Sequence, residues 1–289
     1  MDWLNAVIQG LLLGGQYALL ACGLSLIFGV MRIVNLAHGV IAVAAAYVAL
    51  WLVQDGSVPL LLALVVVVPV FAAAGYALQR GLFNPALGGG ELAPLLVSFG
   101  LGIVLTNVLQ QVFSADSRSI GIGSLGTSSV PLAPDLSVGV FSLLTFVVGV
   151  GVIAAVQLFL SRTSTGRAMR ATSDDPETAQ LMGIDQRHLY GVATAIAIGT
   201  VALAGVFVGM STQFSPTYGD LVLIFAFEAV IVGGLGSLWG TLLGGLVLGV
   251  AQTVGAQVDP AYGILAGHLV FLAVLLVRPS GLMPRTVTA

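Results

Sequence analysis

The chain has 289 residues, of which 58% are hydrophobic and 7% charged, and its formal net charge is −3. Its mean hydropathy is +1.08, whereas a soluble domain carries roughly 25% charged residues, so water is not its main solvent. Cys22 is the single cysteine, which excludes an internal disulfide framework and a cysteine-rich metal site, and the acidic balance calls for no nucleic-acid partner.

Apolar stretches near the ~20 residues needed to cross ~30 Å of hydrocarbon recur at 7–28, 35–53, 58–78, 92–113, 138–160, 189–211, 221–235, 238–256 and 262–277. The pattern predicts an all-α, polytopic transmembrane bundle of about eight to nine spans, one domain over 1–289 embedded in a lipid bilayer. The opening Met1-Asp2-Trp3-Leu4-Asn5 has no basic n-region, so the first stretch is expected to be retained as a span. The seventh and last stretches are short. Only Gly236 and Ser237 separate the seventh from the eighth, and that pair reads as two spans or as a re-entrant hairpin.

Basic residues accumulate at the cytoplasmic ends of spans. Placing 161–188 inside puts Arg32, Arg80, Arg278 and Arg285 there with Arg162, Arg167, Arg170 and Arg187, and leaves Arg118 outside, so eight of nine arginines agree. The N-terminus is then expected outside and the C-terminus in the cytoplasm. Asp2, Asp55, Asp116, Asp135, Asp220 and Asp259 fall on the outer side.

Asn35 and His38, three apart, share a face if a helix starts near Asn35. Together with Gly39 they are candidates for the translocation pathway, in which a broken helix would meet an anionic substrate group; the competing reading is hydrogen bonding between neighbouring helices. The outer loop 114–137 is rich in Ser, Gly and Pro and is assigned no chemistry. The inner loop 161–188 is the most polar part of the chain. Within it, Gly166-Arg167-Ala168-Met169-Arg170-Ala171 precedes a predicted short helix: Asp174 or Asp175 caps it, Pro176 takes its first position, Glu177 suits its positive end and Gly183 stops it before Asp185. Ala179, Leu181 and Met182 would give that helix a small, partly apolar surface; a solvated connector is the alternative.

Further on, Thr217, Tyr218 and Asp220 are expected to line an entrance. Counted from Asp220 at the outer surface, Glu228 lies ~12 Å deep at ~1.5 Å per residue. A lone carboxylate there costs roughly 2.5–3.5 kcal/mol, so Glu228 should line the pathway or bond another helix. Gly236, Gly240 and Gly244 recur every four residues, as do Gly245 and Gly249, which predicts close backbone packing of the eighth span within the subunit or across a dimer. His38, His188 and His268 lie far apart, so no metal site is expected. The chain contains no lysine, so it holds no Walker A motif, and no cofactor is expected on it.

Glu177-Thr178-Ala179-x-x-x-Gly183 resembles the Glu-Ala-Ala-x-x-x-Gly loop of binding-protein-dependent ABC importer permeases, with Thr178 at the second position. The wider string 166–185 resembles the branched-chain amino acid permeases in particular. So do Gly23-Leu24-Ser25-Leu26-Ile27-Phe28-Gly29-Val30 leading to Asn35-Leu36-Ala37-His38-Gly39, Leu95-Leu96-Val97-Ser98-Phe99-Gly100-Leu101, and Ala229-Val230-Ile231-Val232-Gly233-Gly234-Leu235-Gly236-Ser237. The resemblance covers nearly the whole chain. One departure is Val40, where the family often has an acidic residue, and any role of that carboxylate does not carry over.

The resemblance implies a membrane permease, not itself an enzyme, that moves branched-chain or related small amino acids across the inner membrane. It implies a coupling helix within 161–188 docked on two cytoplasmic ATPase subunits that hold the ATP, a homologous permease partner and an outer substrate-binding protein. The rival reading is a secondary transporter or channel driven by an ion gradient, with Glu228 as its proton-linked residue.

Overall fold

The computed structural model describes residues 2–90, 92–133 and 136–283; Arg285 and Asp135 lie outside the described residues. Each of the nine apolar stretches forms a helix. The first is α1 (Asp2–Met31), followed by α2 (His38–Gln54) and α3 (Leu60–Leu78). A π-helical turn (Gln79–Phe83) and the short α4 (Asn84–Ala86) extend α3, and α5 (Leu92–Phe113) follows. After α6 (Val140–Arg162) come α7 (Ser164–Asp174) and α8 (Pro176–Leu181), and then α9 (Gln186–Ser211). The chain continues through α10 (Tyr218–Gly233), α11 (Leu238–Val258) and α12 (Tyr262–Val277).

Among the described residues, six helical stretches are long and apolar enough to cross a membrane. The other three apolar helices, α2, α10 and α12, have 17, 16 and 16 residues, so the expected eight to nine spans resolve into six long helices and three shorter ones. A small antiparallel hairpin adds β structure: β1 (Ser129–Ala133) pairs with β2 (Leu136–Gly139) in the register Ser129↔Gly139, Val130↔Val138 and Pro131↔Ser137. The ladder becomes irregular after Pro131, which has no N–H to donate. Val138, read from sequence as the start of a span, belongs to this hairpin.

The helices divide into a centre and a rim. The most apolar windows of α1 and α9 are 78% and 72% buried, against 17% for those of α5 and of extended α3, so α1 and α9 form the axis and α3 and α5 present their flanks outward. Gly205 lets α2 lie on α9, since a Cβ there would come within 2.0 Å of the Ala42 carbonyl oxygen.

Two passages interrupt the helices in the same way. After α1 the chain turns at Arg32, whose φ of 55° ends the helix, runs through 32–37 and starts α2. After α9 it runs through 212–217 and starts α10. In both passages a two-residue turn precedes the new helix, and glycines stand ten residues apart, at Gly29 and Gly39 and at Gly209 and Gly219.

The first turns of α2 and α10 meet. A Cβ on Gly39 would lie 2.0 Å from the Gly219 carbonyl oxygen, and one on Gly219 would lie 2.8 Å from the Val40 backbone. This crossing sits midway along the neighbouring helices: His38 reaches Leu20 of α1, a Cβ on Gly23 of α1 would strike Ala197 of α9, and Gly102 of α5 faces Ala37.

At one end of the bundle the backbones of Arg118 and Phe214 exchange two 2.8 Å hydrogen bonds, and Ile120 N donates to Gly209 O at 2.8 Å, tying the 114–139 loop to the α9–α10 connection. The opposite end gathers Arg32, Arg80, Arg162, Arg167, Arg170, Arg187 and Arg278. There Asn84 Nδ2 donates to the Arg187 carbonyl, and Leu282 N and Met283 N donate to Val232 and Gly233.

Candidate functional site

α2 starts at His38 with Ala37 as its cap residue, so Asn35 lies in the turn before the helix and does not share a helical face with His38. Asn35 is buried, and its Oδ1 accepts from Ala37 N at 3.0 Å, a local turn that opens the helix. Leu36 N donates to Ser98 Oγ of α5 at 3.1 Å. His38 is fully buried and its Nε2 donates to the Leu20 carbonyl at 2.9 Å. A carbonyl only accepts, so Nε2 carries a proton. The helix pair α1–α2 is thus pinned at its break, and Gly39 provides the smooth surface against which α10 begins.

Glu228 of α10 is 5% exposed, and His268 Nδ1 of α12 donates to its Oε1 at 2.5 Å. Nearby, Tyr17 OH of α1 donates to Gln252 Oε1 of α11 at 2.6 Å. Phe225 stacks on Tyr17 at 4.9 Å and on His268 at 6.3 Å. Four helices therefore share one polar seam in an apolar bundle. A hydrogen bond between membrane helices contributes on average about 0.6 kcal/mol and up to about 1.7. Glu228→Ala, which also leaves a void, is expected to lower stability by about 1–2 kcal/mol. Glu228→Gln, whose amide oxygen still accepts from His268, should cost less. Thermal unfolding in detergent decides; equal, negligible losses would show that the bond does not hold α10 to α12.

In the arginine-rich loop, the stretch read as a mere lead-in to the short helix is itself helical. Thr163 Oγ1 caps α7 by accepting from Gly166 N at 3.0 Å. A Cβ on Gly166 would fall 2.4 Å from the Phe159 carbonyl oxygen, so α7 folds back hard against the end of α6. Met169 is fully buried in a cluster that contains Ile27 and Val30 of α1, Ile153 of α6 and Leu238 of α11. Arg167 Nη1 donates to the Arg162 carbonyl at 3.0 Å, and Arg170 borders a cavity of about 220 Å³ with Ser25, Gln157 and Ser237.

Asp175 is the cap of α8: its Oδ1 accepts from Thr178 N at 3.0 Å and its Oδ2 from Thr178 Oγ1 at 2.5 Å. The Thr178 hydroxyl, followed by its backbone N–H, holds the Asp175 carboxyl below the usual range. Thr178, the departure from the family motif, thus reinforces the cap. Glu177 sits exposed in the first turn. Gly183 ends the helix with φ 82°; its N–H donates to Gln180 and that of Ile184 to Ala179, the left-handed stop that favours glycine. Ala179 departs from the expected surface, because it is 5% exposed while Leu181 and Met182 are 86% and 79% exposed. The projecting apolar patch is therefore Leu181 and Met182. Asp185 caps α9 by accepting from His188 N and lies 4.0 Å from Arg80.

The glycines of α11 pack inside the subunit. Cβ atoms on Gly240 and Gly244 would strike the Gly233 and Ala229 carbonyl oxygens of α10 at 2.4 and 2.1 Å. Those on Gly245 and Gly249 would strike the Gly14 and Gly10 carbonyl oxygens of α1 at 2.6 and 2.2 Å. Gly236 does not belong to that helix face: α11 starts at Leu238, and Gly236 turns the chain with φ 77°. Thr217 is the cap residue of α10 and Tyr218 lines a cavity with Tyr17 and Gln16. Asp220 is exposed beside the middle of α5 rather than at a mouth, so it is not the surface marker from which the depth of Glu228 was counted. Among the described residues no group of three or more His, Cys, Asp or Glu is placed to hold a metal ion.

Comparison with known proteins places this architecture. A family model described as branched-chain amino acid transport system / permease component matches residues 6–277. The high-affinity branched-chain amino acid transport system permease protein BraD of Pseudomonas aeruginosa is 34% identical, covering 98% of this chain and 96% of that one. LivH of Escherichia coli, a permease protein of the same description, is 27% identical over the same shares. The probable LivH of Methanocaldococcus jannaschii is 29% identical over 91% of this chain and 87% of its own length. No solved structure matches. With its multi-pass apolar bundle, the chain belongs to the family of inner-membrane permease components of branched-chain amino acid transport systems.

Proposed function

We propose that this chain is the membrane permease of an ATP-driven ABC importer that carries branched-chain or related small amino acids inward. In this reading the arginine-rich end is cytoplasmic, the N-terminus is outside and the C-terminus inside, in accord with the positive-inside rule. The permease pairs with a homologous permease and receives substrate from an outer binding protein. Two cytoplasmic ATPase subunits bind and hydrolyse ATP.

One observation carries the reading. The 161–188 loop presents Leu181 and Met182 on a capped helix, while its companion α7 is rooted through Met169 among residues of α1, α6, α9 and α11. A push on the exposed patch therefore reaches the helices at the centre of the bundle, which is what alternating access requires. Gly166, Arg167, Arg170, Glu177, Ala179, Gly183 and Asp185 shape and hold that coupling unit, and Asn35, His38, Gly39 and Glu228 fix the broken helices it moves.

The test is uptake of labelled leucine, isoleucine and valine into vesicles containing the permease pair, ATPases and binding protein. Accumulation should require ATP and survive a proton ionophore. Uptake that persists without ATP and collapses with the proton gradient would establish the ion-driven rival and make Glu228 its first suspect.

A further inference from the structure

Asp220 occupies a position that the packing of the fold leaves unexplained. It stands in the first turn of α10, and its side chain is exposed. It borders a groove of about 380 Å³ whose opposite wall is α5, through Phe99, Ile103, Thr106 and Asn107. Gly102, on the same wall, faces Ala37 at the crossing of the broken helices, so the groove lies at the middle of a 22-residue helix long enough to span the membrane. Among the described residues no arginine or histidine lines it.

A carboxylate at such a depth is costly against lipid and belongs in a water-filled cavity or beside a partner. Glu228 meets that requirement within the chain, through His268. Asp220 finds no such partner among the described residues, and so the face of α5 and α10 that carries it is not a lipid face. The groove is at the small end of the range for ligand pockets, roughly 300–1,000 Å³. Its chemistry is divided: a carboxylate at one side, a hydroxyl and an amide from Thr106 and Asn107, and apolar surface from Phe99, Ile103 and Leu223.

We propose that this groove is a segment of the translocation pathway and that Asp220 receives the ammonium group of a zwitterionic amino acid, whose aliphatic side chain rests on Phe99, Ile103 and Leu223. The inference rests on the import reading and deepens it, moving the acidic group of the pathway from Glu228 to Asp220. Asn35, His38 and Gly39 then act behind the groove, fixing the helix break that brings Asp220 to α5.

The experiment uses the complete importer in vesicles, with Cys22→Ala as background and single cysteines at Thr106→Cys, Asn107→Cys and, as a lipid-facing control on α3, Val65→Cys. ATP-driven uptake by the unsubstituted importer is measured first. A charged, water-soluble thiol reagent is expected to modify the two groove cysteines much faster than the control, and leucine supplied with the binding protein should slow it. Asp220→Asn should lower amino-acid uptake about tenfold or more at unchanged assembly and unchanged ATP hydrolysis, with Asp220→Glu restoring part of it. Groove cysteines as unreactive as the control, in an importer whose parent takes up amino acid, would overturn the proposal while the import reading stands. A parent with no ATP-driven uptake would overturn both.

Discussion

Gly39→Ala is expected to abolish uptake and to destabilise the bundle by about 1–3 kcal/mol or more, the range for overpacking a fitted interior. The added methyl would lie 2.0 Å from the Gly219 carbonyl oxygen and 2.8 Å from Leu223 N. Both are backbone atoms, so no side chain can swing aside, and the two short helices must separate. Because α2 and α10 both begin at this contact, a shift there displaces His38 from Leu20 as well as Asp220 from α5. Gly100→Ala is the control, since a Cβ at that position meets nothing within 4 Å, and it should be nearly silent. Thermal unfolding in detergent together with vesicle uptake separates the outcomes. Wild-type stability in Gly39→Ala would show that the first turns of α2 and α10 do not touch in the membrane.

The double substitution Leu181→Ala, Met182→Ala should leave the permease folded yet reduce ATP-driven uptake at least tenfold. Both side chains are almost wholly exposed, so their removal takes nothing from the core. Exposed large apolar side chains on a short, capped helix are what a docking site offers, and truncating such an anchor at an interface costs about 2 kcal/mol or more, well over tenfold in binding. Co-purification of the ATPase subunits with the permease and coupled uptake are the two readings. Unaltered ATPase retention together with full uptake would mean that α8 is a solvated connector. Met169→Ala offers the complementary case: it empties a fully buried position at the root of the same unit, so stability and coupling should fall together.

The sequence by itself determined what depends on local chemistry and on composition. Each of the nine apolar stretches became a helix because hydrocarbon leaves the backbone no other partner than itself. The cap and stop of α8 were legible because Asp175, Pro176 and Gly183 act through their own backbone neighbours. The family was legible from strings of residues along most of the chain. Facing was not. A helix that is apolar all round has no polar side to mark its outward face, so nothing in the residues alone distinguished the central α1 and α9 from the outlying α3 and α5.

The same blindness explains the two carboxylates. Glu228 read as the lone charge within a span, and Asp220 read as a surface residue, because depth was counted along the chain as though helices ran straight from face to face. The breaks at 32–37 and 212–217 undo that count. They bring the starts of α2 and α10 together at mid-bundle, supply Glu228 with His268 from a helix forty residues away, and leave Asp220 open beside α5. Gly236 moved from a helix face to a turn, and Ala179 from surface to core, for a related reason: spacing tells which residues share a side, and only the packing of distant segments tells what that side meets.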